Sequence, residues 1–353
     1  MGELRNFKNI NTMVFKRIIY FGYYIKMLNK TLFKKFLLYA KEQTGKSTLS
    51  IWWDIFCHSM KYNTSILEYF QFGFYKQSST EAEKSAWAGT GFMYEFQGYM
   101  NPRKYRYLLE DKTVFDKTYG KYMHHNALPL VDLKADNSLC DRVLSNPSGR
   151  IVFKIKDGGC GKRVQVEPAN KFTKESLVKF MEDNQFDLVE DFVQQHEVIN
   201  NLAPTALNTV RVITQLRPNG EVDIVGCRLR ISVHGVTDNL AAGNIAAVID
   251  TETGVITDNG VYSDITKPEE EFHPVTGLKI KGTQIPFWKE TIATAKEIAK
   301  IDSRNHSIGW DFAITSFGPD LIEGNREWCK LLYQLPAKKG LKSVLVKYRN
   351  EFK

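Results

Sequence analysis

Near residue 150 the chain changes texture, and that change restricts the folds open to it. Residues 1–105 are aromatic-rich and read as helical. Leu32, Phe33, Phe36, Leu37 and Tyr39 make an apolar stripe beside Lys34, Lys35 and Lys41, and residues 51–60 and 65–75 are further apolar blocks without alternation. From residue 150 the apolar side chains come in short β-branched runs instead. These lie at 150–156, 164–166, 188–193, 209–216 and 222–231, with Gly, Asn and Pro between them. Residues 173–184 read as a helix with Thr173 as its N-cap, and residues 288–301 as a second amphipathic helix. Strands and helices are mixed rather than strictly alternating, which predicts an α+β fold over a doubly wound parallel sheet.

Charge matters through where it sits. The 353 residues hold 48 Lys+Arg and 40 Asp+Glu, an excess of eight. Residues 1–50 carry ten bases and two acids, so the whole excess lies there and the remainder is balanced at 38 against 38. A globally basic nucleic-acid binder is a poor reading of such a chain, and no nucleic-acid partner is expected. The apolar run 18–25 is eight residues long, between Arg17 and Lys26, against roughly 20 needed to cross a bilayer. It also lacks the small-residue cleavage site of a signal peptide. Five scattered cysteines without a CxxC pair indicate neither a disulfide framework nor a zinc site, and a cytoplasmic setting is expected.

Three segments carry candidate chemistry. Residues 40–47 end in Gly45-Lys46-Ser47 and imitate a phosphate loop, yet the preceding residues have helical spacing where such a loop needs a strand. Gly45 is expected to be a helix C-cap. The second segment is a strand bearing Lys154 and Lys156, a turn containing Gly158, Gly159 and Gly161, and a returning strand. Glycines there let backbone amides approach an anion, although the same pattern also makes ordinary surface turns. The third is residues 309–325, two apolar runs joined by Gly318-Pro319. As a hairpin it would set Asp311 beside Glu323, with Asn325 on the face of Glu323. Oxygen ligands of that kind suit Mg²⁺, and solvent-facing acids are the plain alternative.

The order of these pieces resembles the ATP-grasp family. Glu110-Asp111-Lys112 followed by a helix and residues 125–130, then the lysine strand and glycine turn, Glu190 to Val193, and the Asp311…Glu323-Gly324-Asn325 hairpin come one after another as they do there. Residues 207–214, Asp238-Asn239 to Ile245, His273-Pro274 and Gly277 narrow the resemblance to the sugar-transfer associated branch. It implies two α+β subdomains clasping ATP over residues 106–335, with a lid at about 150–195. A helical, basic domain at 1–105 would precede them and a basic helix at 336–353 would come after.

Residue by residue, the resemblance implies that Lys112 and Lys154 hold ATP phosphates, with Lys156 as the fallback for Lys154. Gly158, Gly159 and Gly161 would form the phosphate flap, and Arg163 stands where a glycine is common. Glu190 and Val193 would meet adenine, and Glu197 the ribose, with His196 as its competitor. Asp311, Glu323 and Asn325 would hold Mg²⁺. Arg211 and Arg228 would stabilise an acyl phosphate and its transition state. The implied activity is ATP- and Mg²⁺-dependent ligation of a carboxylate to an amine in surface polysaccharide (capsule or O-antigen) biosynthesis. Two readings compete with it. One is a kinase of the same fold phosphorylating a hydroxyl, and the other a non-catalytic membrane- or glycan-binding protein with a degenerate nucleotide site. None of the histidines needs a catalytic role, and His124-His125 is expected to be a solvated helix end. For residues 1–50, a solvated helical face, contact with an anionic membrane surface and capture of an acidic glycan all remain open.

Overall fold

The computed structural model describes residues 2–155 and 164–352. Lys156, Gly158, Gly159, Gly161 and Arg163 therefore lie outside the described residues. The architecture is α+β, with two antiparallel sheets behind a helical amino-terminal layer.

That layer comprises helices Gly2–Lys26, Lys30–Thr44, Thr48–Tyr62, Ile66–Gln71, Glu81–Ala86 and Thr90–Met100. Local signals set their ends. Asn29 caps the second helix by accepting from the Leu32 amide, and Gly45 closes it at φ 68°. Ser47 then caps the third by accepting from the Ser50 amide at 3.2 Å. The apparent phosphate loop is thus the junction between two helices, and its Lys46 ion-pairs with Asp54. Phe36, Ile51, Ile55, Tyr69 and Phe70 form the buried core, and Phe72 stacks on Trp87 with centroids 4.3 Å apart. Buried Glu68 fastens the layer together and ties it to the carboxy-terminal part of the chain. It accepts from the Ser65 amide (2.8 Å), the Thr90 amide (2.9 Å) and the Thr90 hydroxyl (2.7 Å), and it pairs with Lys330 at 3.0 Å. Four partners are what a carboxylate at that depth requires.

The smaller sheet holds β1 (Ala127–Pro129), β2 (Arg150–Lys154), β3 (Gln165–Pro168) and β4 (Leu188–Asp191), in the order β1-β4-β2-β3. Helices Leu130–Ala135, Ser138–Leu144 and Lys174–Asp183 pack with it through Leu133, Val143, Phe153, Leu177, Met181 and Val189. Thr173 caps the last of these helices in a capping box with Ser176. This subdomain begins at β1, earlier than the 150 expected for the lid, because a three-residue strand is too short to reveal an alternation.

The larger sheet has β5 (Thr209–Leu216), β6 (Val222–Ile231), β7 (Ile245–Ile249), β8 (Val261–Tyr262), β9 (Ser307–Thr315) and β10 (Gly318–Asn325), in the order β10-β9-β5-β6-β7-β8. Period-two alternation gives it two unlike faces. Val210, Val212, Leu229, Trp310, Phe312 and Ile314 pack with Ala295 and Ile298 of helix Trp288–Ile301. The opposite face carries Thr209, Arg211, Arg228, Arg230 and Asp311, all buried. Phe96, Ile213, Trp328, Tyr333 and Leu345 form the apolar cluster on that side, so Thr90–Met100 and the last helix, Lys342–Glu351, both pack there.

One irregularity positions the hairpin acids. Leu321 pairs with Phe312 in register, but a bulge then carries the ladder forward so that Glu323, not Ile322, lies opposite Asp311. Directly opposed residues of an antiparallel pair share a face. The register continues inward from Asp311 to Arg211 and from Arg211 to Arg228. One transverse row across four strands therefore reads Glu323, Asp311, Arg211, Arg228.

Candidate functional site

A cavity of about 390 Å³ opens between the two sheets, within the size range of small-ligand sites. Lys112, Lys154 and Glu190 line one wall, and Glu323, Asn325 and Arg326 the other. Lys154 leaves the end of β2, and Lys112 begins helix Lys112–Tyr119. Their ammonium groups converge on one carboxylate: Glu190 of β4 ion-pairs closely with Lys154 and lies 3.9 Å from Lys112. Burial would raise the Glu190 carboxyl, but the two lysines outweigh it and hold the group below its ordinary value. Both lysines stay partly exposed, at 33% and 44% of their side chains, so their charge faces the cavity.

The opposite wall is built on the bulged hairpin. The Asn325 amide nitrogen donates to Glu323 Oε1 at 3.0 Å and lies 3.5 Å from Asp311 Oδ2. Glu323 is exposed, whereas Asp311 is 1% exposed and stands behind it. Arg211 forks onto Asp311 through Nε and Nη2, the latter at 2.8 Å, and Arg230 Nη1 donates to Asp311 Oδ2 at 2.6 Å. Arg230 also pairs with Asp238 and donates to Asn239. Asp238 accepts in turn from the Thr209 amide and hydroxyl, at 2.8 and 2.7 Å. Two guanidiniums and two carboxylates thus neutralise one another out of water. Burial alone would raise Asp311, but Arg211 and Arg230 pull it down to about 2. Glu323 moves the other way: the protein atoms around its carboxyl and the neighbouring Asp311 charge both raise it.

The residues singled out from sequence divide accordingly. Lys112, Lys154, Glu190, Glu323 and Asn325 meet around one cavity. Asp311 adjoins them from behind, and Arg211 faces Asp311 rather than the cavity. Val193 sits in the segment between β4 and helix Glu197–Leu202, and Glu197 is exposed at the first turn of that helix. His196 is occupied as its N-cap, accepting from the Val198 amide through Nδ1. Arg228 diverges most from expectation. Although directly opposite Arg211, its guanidinium donates through Nε and Nη2 to the Tyr333 carbonyl and through Nη1 to its own neighbour's carbonyl. Burial without an acidic partner among the described residues lowers it to about 10. Arg230, two residues on and on the same face, is the guanidinium that reaches Asp311. Sequence reasoning missed it, and the i, i+2 spacing was the available signal.

His125 is a second correction. Its side chain is 7% exposed rather than solvated, with Nδ1 2.9 Å from Asp320 Oδ2, and the amide of exposed His124 donates to Asp320 Oδ1 at 2.7 Å. Burial lowers the imidazole, but Asp320 outweighs it and the group is raised. This contact ties the entrance of β1 to β10 across the floor of the cavity. Among the described residues no cluster of three His, Cys, Asp or Glu side chains forms a metal site. Glu323 with the amide of Asn325 is a two-residue oxygen set at the cavity wall, which suits a hard cation that keeps several waters and takes further oxygens from a phosphate.

A family model described as sugar-transfer associated ATP-grasp matches residues 92–350, and the chain belongs to that family. The match extends beyond the expected 106–335 at both ends, and it takes in most of Thr90–Met100 and Lys342–Glu351. Its fold is accordingly the ATP-grasp fold. Among solved structures, the chain is similar to the ATP-grasp ligase PsnB complexed with minimal precursor, at 12% identity over 72% of this chain and 63% of that one, with a TM-score of 0.39. It is also similar to D-alanyl-alanine synthetase A from Vibrio cholerae O1 biovar eltor (15% identity, 68% and 60% covered, TM-score 0.36). A third is the macrocyclase MdnC from Microcystis aeruginosa, bound with precursor peptide MdnA (11% identity, 77% and 74% covered, TM-score 0.38). The chain spans 63% of the length of PsnB. No curated protein matches it in sequence.

Proposed function

We propose that this protein is an ATP- and Mg²⁺-dependent ligase that joins a carboxylate to an amine through an acyl phosphate. The observation that carries the reading is the cavity itself, with two lysines on one wall and Glu323 with Asn325 on the other. Lys112 and Lys154 would lie along the phosphates of ATP and exchange the Glu190 carboxylate for phosphate oxygens. Mg²⁺ would be held by Glu323 and Asn325, and when bound it would neutralise phosphate charge as phosphorus is transferred. Asp311, pinned by Arg211 and Arg230, would position Glu323 and Asn325 rather than move during turnover.

In the first step a carboxylate oxygen of the acid bonds to the γ-phosphorus of ATP and the bond to ADP breaks. An amine then attacks the acyl carbon, loses a proton and expels inorganic phosphate, leaving an amide. For the substrate class we take a sugar acid or glycan-linked carboxylate in surface polysaccharide synthesis, with the family's description as sugar-transfer associated as its one support. A cytoplasmic enzyme working at the inner face of the membrane fits that role.

Calorimetric titration of ATP with and without Mg²⁺, on wild type and Lys154→Ala, tests the nucleotide site. Micromolar binding, about −8 kcal/mol, that needs the metal and weakens about tenfold or more in Lys154→Ala is expected. Hydroxylamine trapping of an acyl phosphate with a panel of sugar acids then separates ligation from phosphorylation of a hydroxyl. Hydroxamate formation supports the ligase, and a stable phosphoester product overturns it in favour of a kinase.

A further inference from the structure

We propose that helix Gly2–Lys26, together with the start of helix Thr48–Tyr62, forms a docking face for an anionic lipid surface. A surface helix ordinarily buries one apolar stripe and turns polar residues to water. Helix Gly2–Lys26 does bury a stripe: Tyr24 is buried, Arg17, Tyr20 and Phe21 are half-buried, and Phe21 meets Phe56 edge-on at 5.3 Å. At about 100° per residue the opposite side holds Phe15, Ile18, Ile19, Gly22 and Lys26. That side faces outward and is apolar up to the exposed lysine at its end. Phe15 is 66% exposed, Ile18 53% and Ile19 55%. On the neighbouring helix, which meets this one through Phe21 and Phe56, Trp53 stacks on Phe56 and is 66% exposed, and Leu49 is 82% exposed.

The charge around the patch selects its occupant. Residues 1–50 hold ten bases and two acids, and of these bases Lys16, Lys35 and Lys46 pair with Glu95, Asp264 and Asp54. Lys26 and Lys30 are exposed and have no acidic partner among the described residues. A second copy would bring the same excess against this one, and like charges repel. An anionic bilayer supplies the opposite charge and takes up the apolar side chains at its headgroup boundary, where Trp and Tyr are favoured and lysines snorkel to the phosphates. No helix among the described residues is long and apolar enough to cross a membrane, so the helix would lie in the plane of the interface. The inference is independent of the ligase reading, because none of these residues lines the cavity between the sheets.

Flotation of the full-length protein with vesicles tests it, using phosphatidylcholine alone or mixed with phosphatidylglycerol, at low and high salt. Wild type should float with the anionic vesicles, release with salt and ignore the neutral ones. The double variant Ile18→Glu, Ile19→Glu should lose about tenfold or more of that binding, since it places acids on the inserting face. Leu49→Glu, Trp53→Glu should weaken it by the same mechanism from the other helix. Because these side chains are exposed, thermal melting of the variants should match wild type. Failure of wild type to float with anionic vesicles would overturn the proposal. So would equal flotation of wild type and a folded double variant, or dimerisation in sedimentation that Ile18→Glu, Ile19→Glu abolishes while vesicle binding stays absent.

Discussion

The two walls of the cavity manage charge in opposite ways. On the larger sheet Asp311 is buried, both of its oxygens taken by Arg211 and Arg230, and the pair is closed by Asp238 and Thr209. On the wall that the smaller sheet shares with helix Lys112–Tyr119, Lys112 and Lys154 share one carboxylate and remain partly exposed. The first arrangement is self-satisfied and rigid, since a buried charge that loses its partner is strongly destabilising. The second is exchangeable, because both ammonium groups reach solvent and a polyphosphate can approach them from the cavity. A site that must grip and release a nucleotide needs one wall of each kind.

The largest effect should come from breaking the closed wall. Asp311→Asn leaves two guanidiniums buried with half their charge unopposed, and should cost about 3–5 kcal/mol of stability by chemical denaturation. An unchanged midpoint would contradict the picture of a locked network. Arg228→Met should cost far less than Arg230→Met, since only Arg230 answers a carboxylate.

Next comes Glu323, which stands in front of Asp311 on the larger-sheet wall and faces the cavity. Glu323→Gln should lower turnover by about a hundredfold or more through loss of metal affinity, with melting temperature unchanged or higher. The stability half rests on repulsion: the Asp311 charge raises the Glu323 carboxyl, so neutralising it relieves the fold. A variant that melts well below wild type would assign Glu323 to the structural network instead.

Lys154→Ala should weaken ATP by about tenfold or more, near 1.4 kcal/mol, while leaving the fold intact, because the exchangeable wall supports little structure. Loss of folding in that variant would erase the contrast between the walls.

The smallest effect is in pH. Asp311 is depressed from 3.8 to about 2, so its contribution to stability is complete above the unfolded value and is lost as pH falls through about 2. Glu323 is raised above 4.5, so Mg²⁺-dependent ATP binding should decline on the acid side before the fold does. Coincident loss of binding and folding on acid titration would show one network where two are described. His125, raised by Asp320, should stabilise below its unfolded value near 6.5 and lose that contribution as pH rises through its higher folded value.

Much of this architecture was legible in the residues. Strands at 209–216 and 222–231 and the helix at 288–301 match the observed elements, since each carries a full run of its own periodicity. Gly45 and Thr173 announced helix ends by local chemistry that needs no distant partner. Strands β1 and β8 left no such signal, being three and two residues long.

Other features lie beyond any local signal. Alternation put Asp311 and Glu323 on one hairpin, but an unbroken ladder would have set Ile322 opposite Asp311, and only the bulge corrects this. Arg211, Arg228 and Arg230 all lie on one face by parity, yet which of them answers Asp311 depends on a carbonyl at Tyr333, 105 positions along the chain from Arg228. The apolar run 18–25 was visible as composition, and only packing against Phe56 revealed that its outer side stays uncovered. Sequence by itself determined the longer strands and helices, because periodicity and caps act within a few residues. Tertiary structure decided which charges meet and which faces stay open, because partners from distant segments compete for each side chain and only the assembled fold brings them within reach.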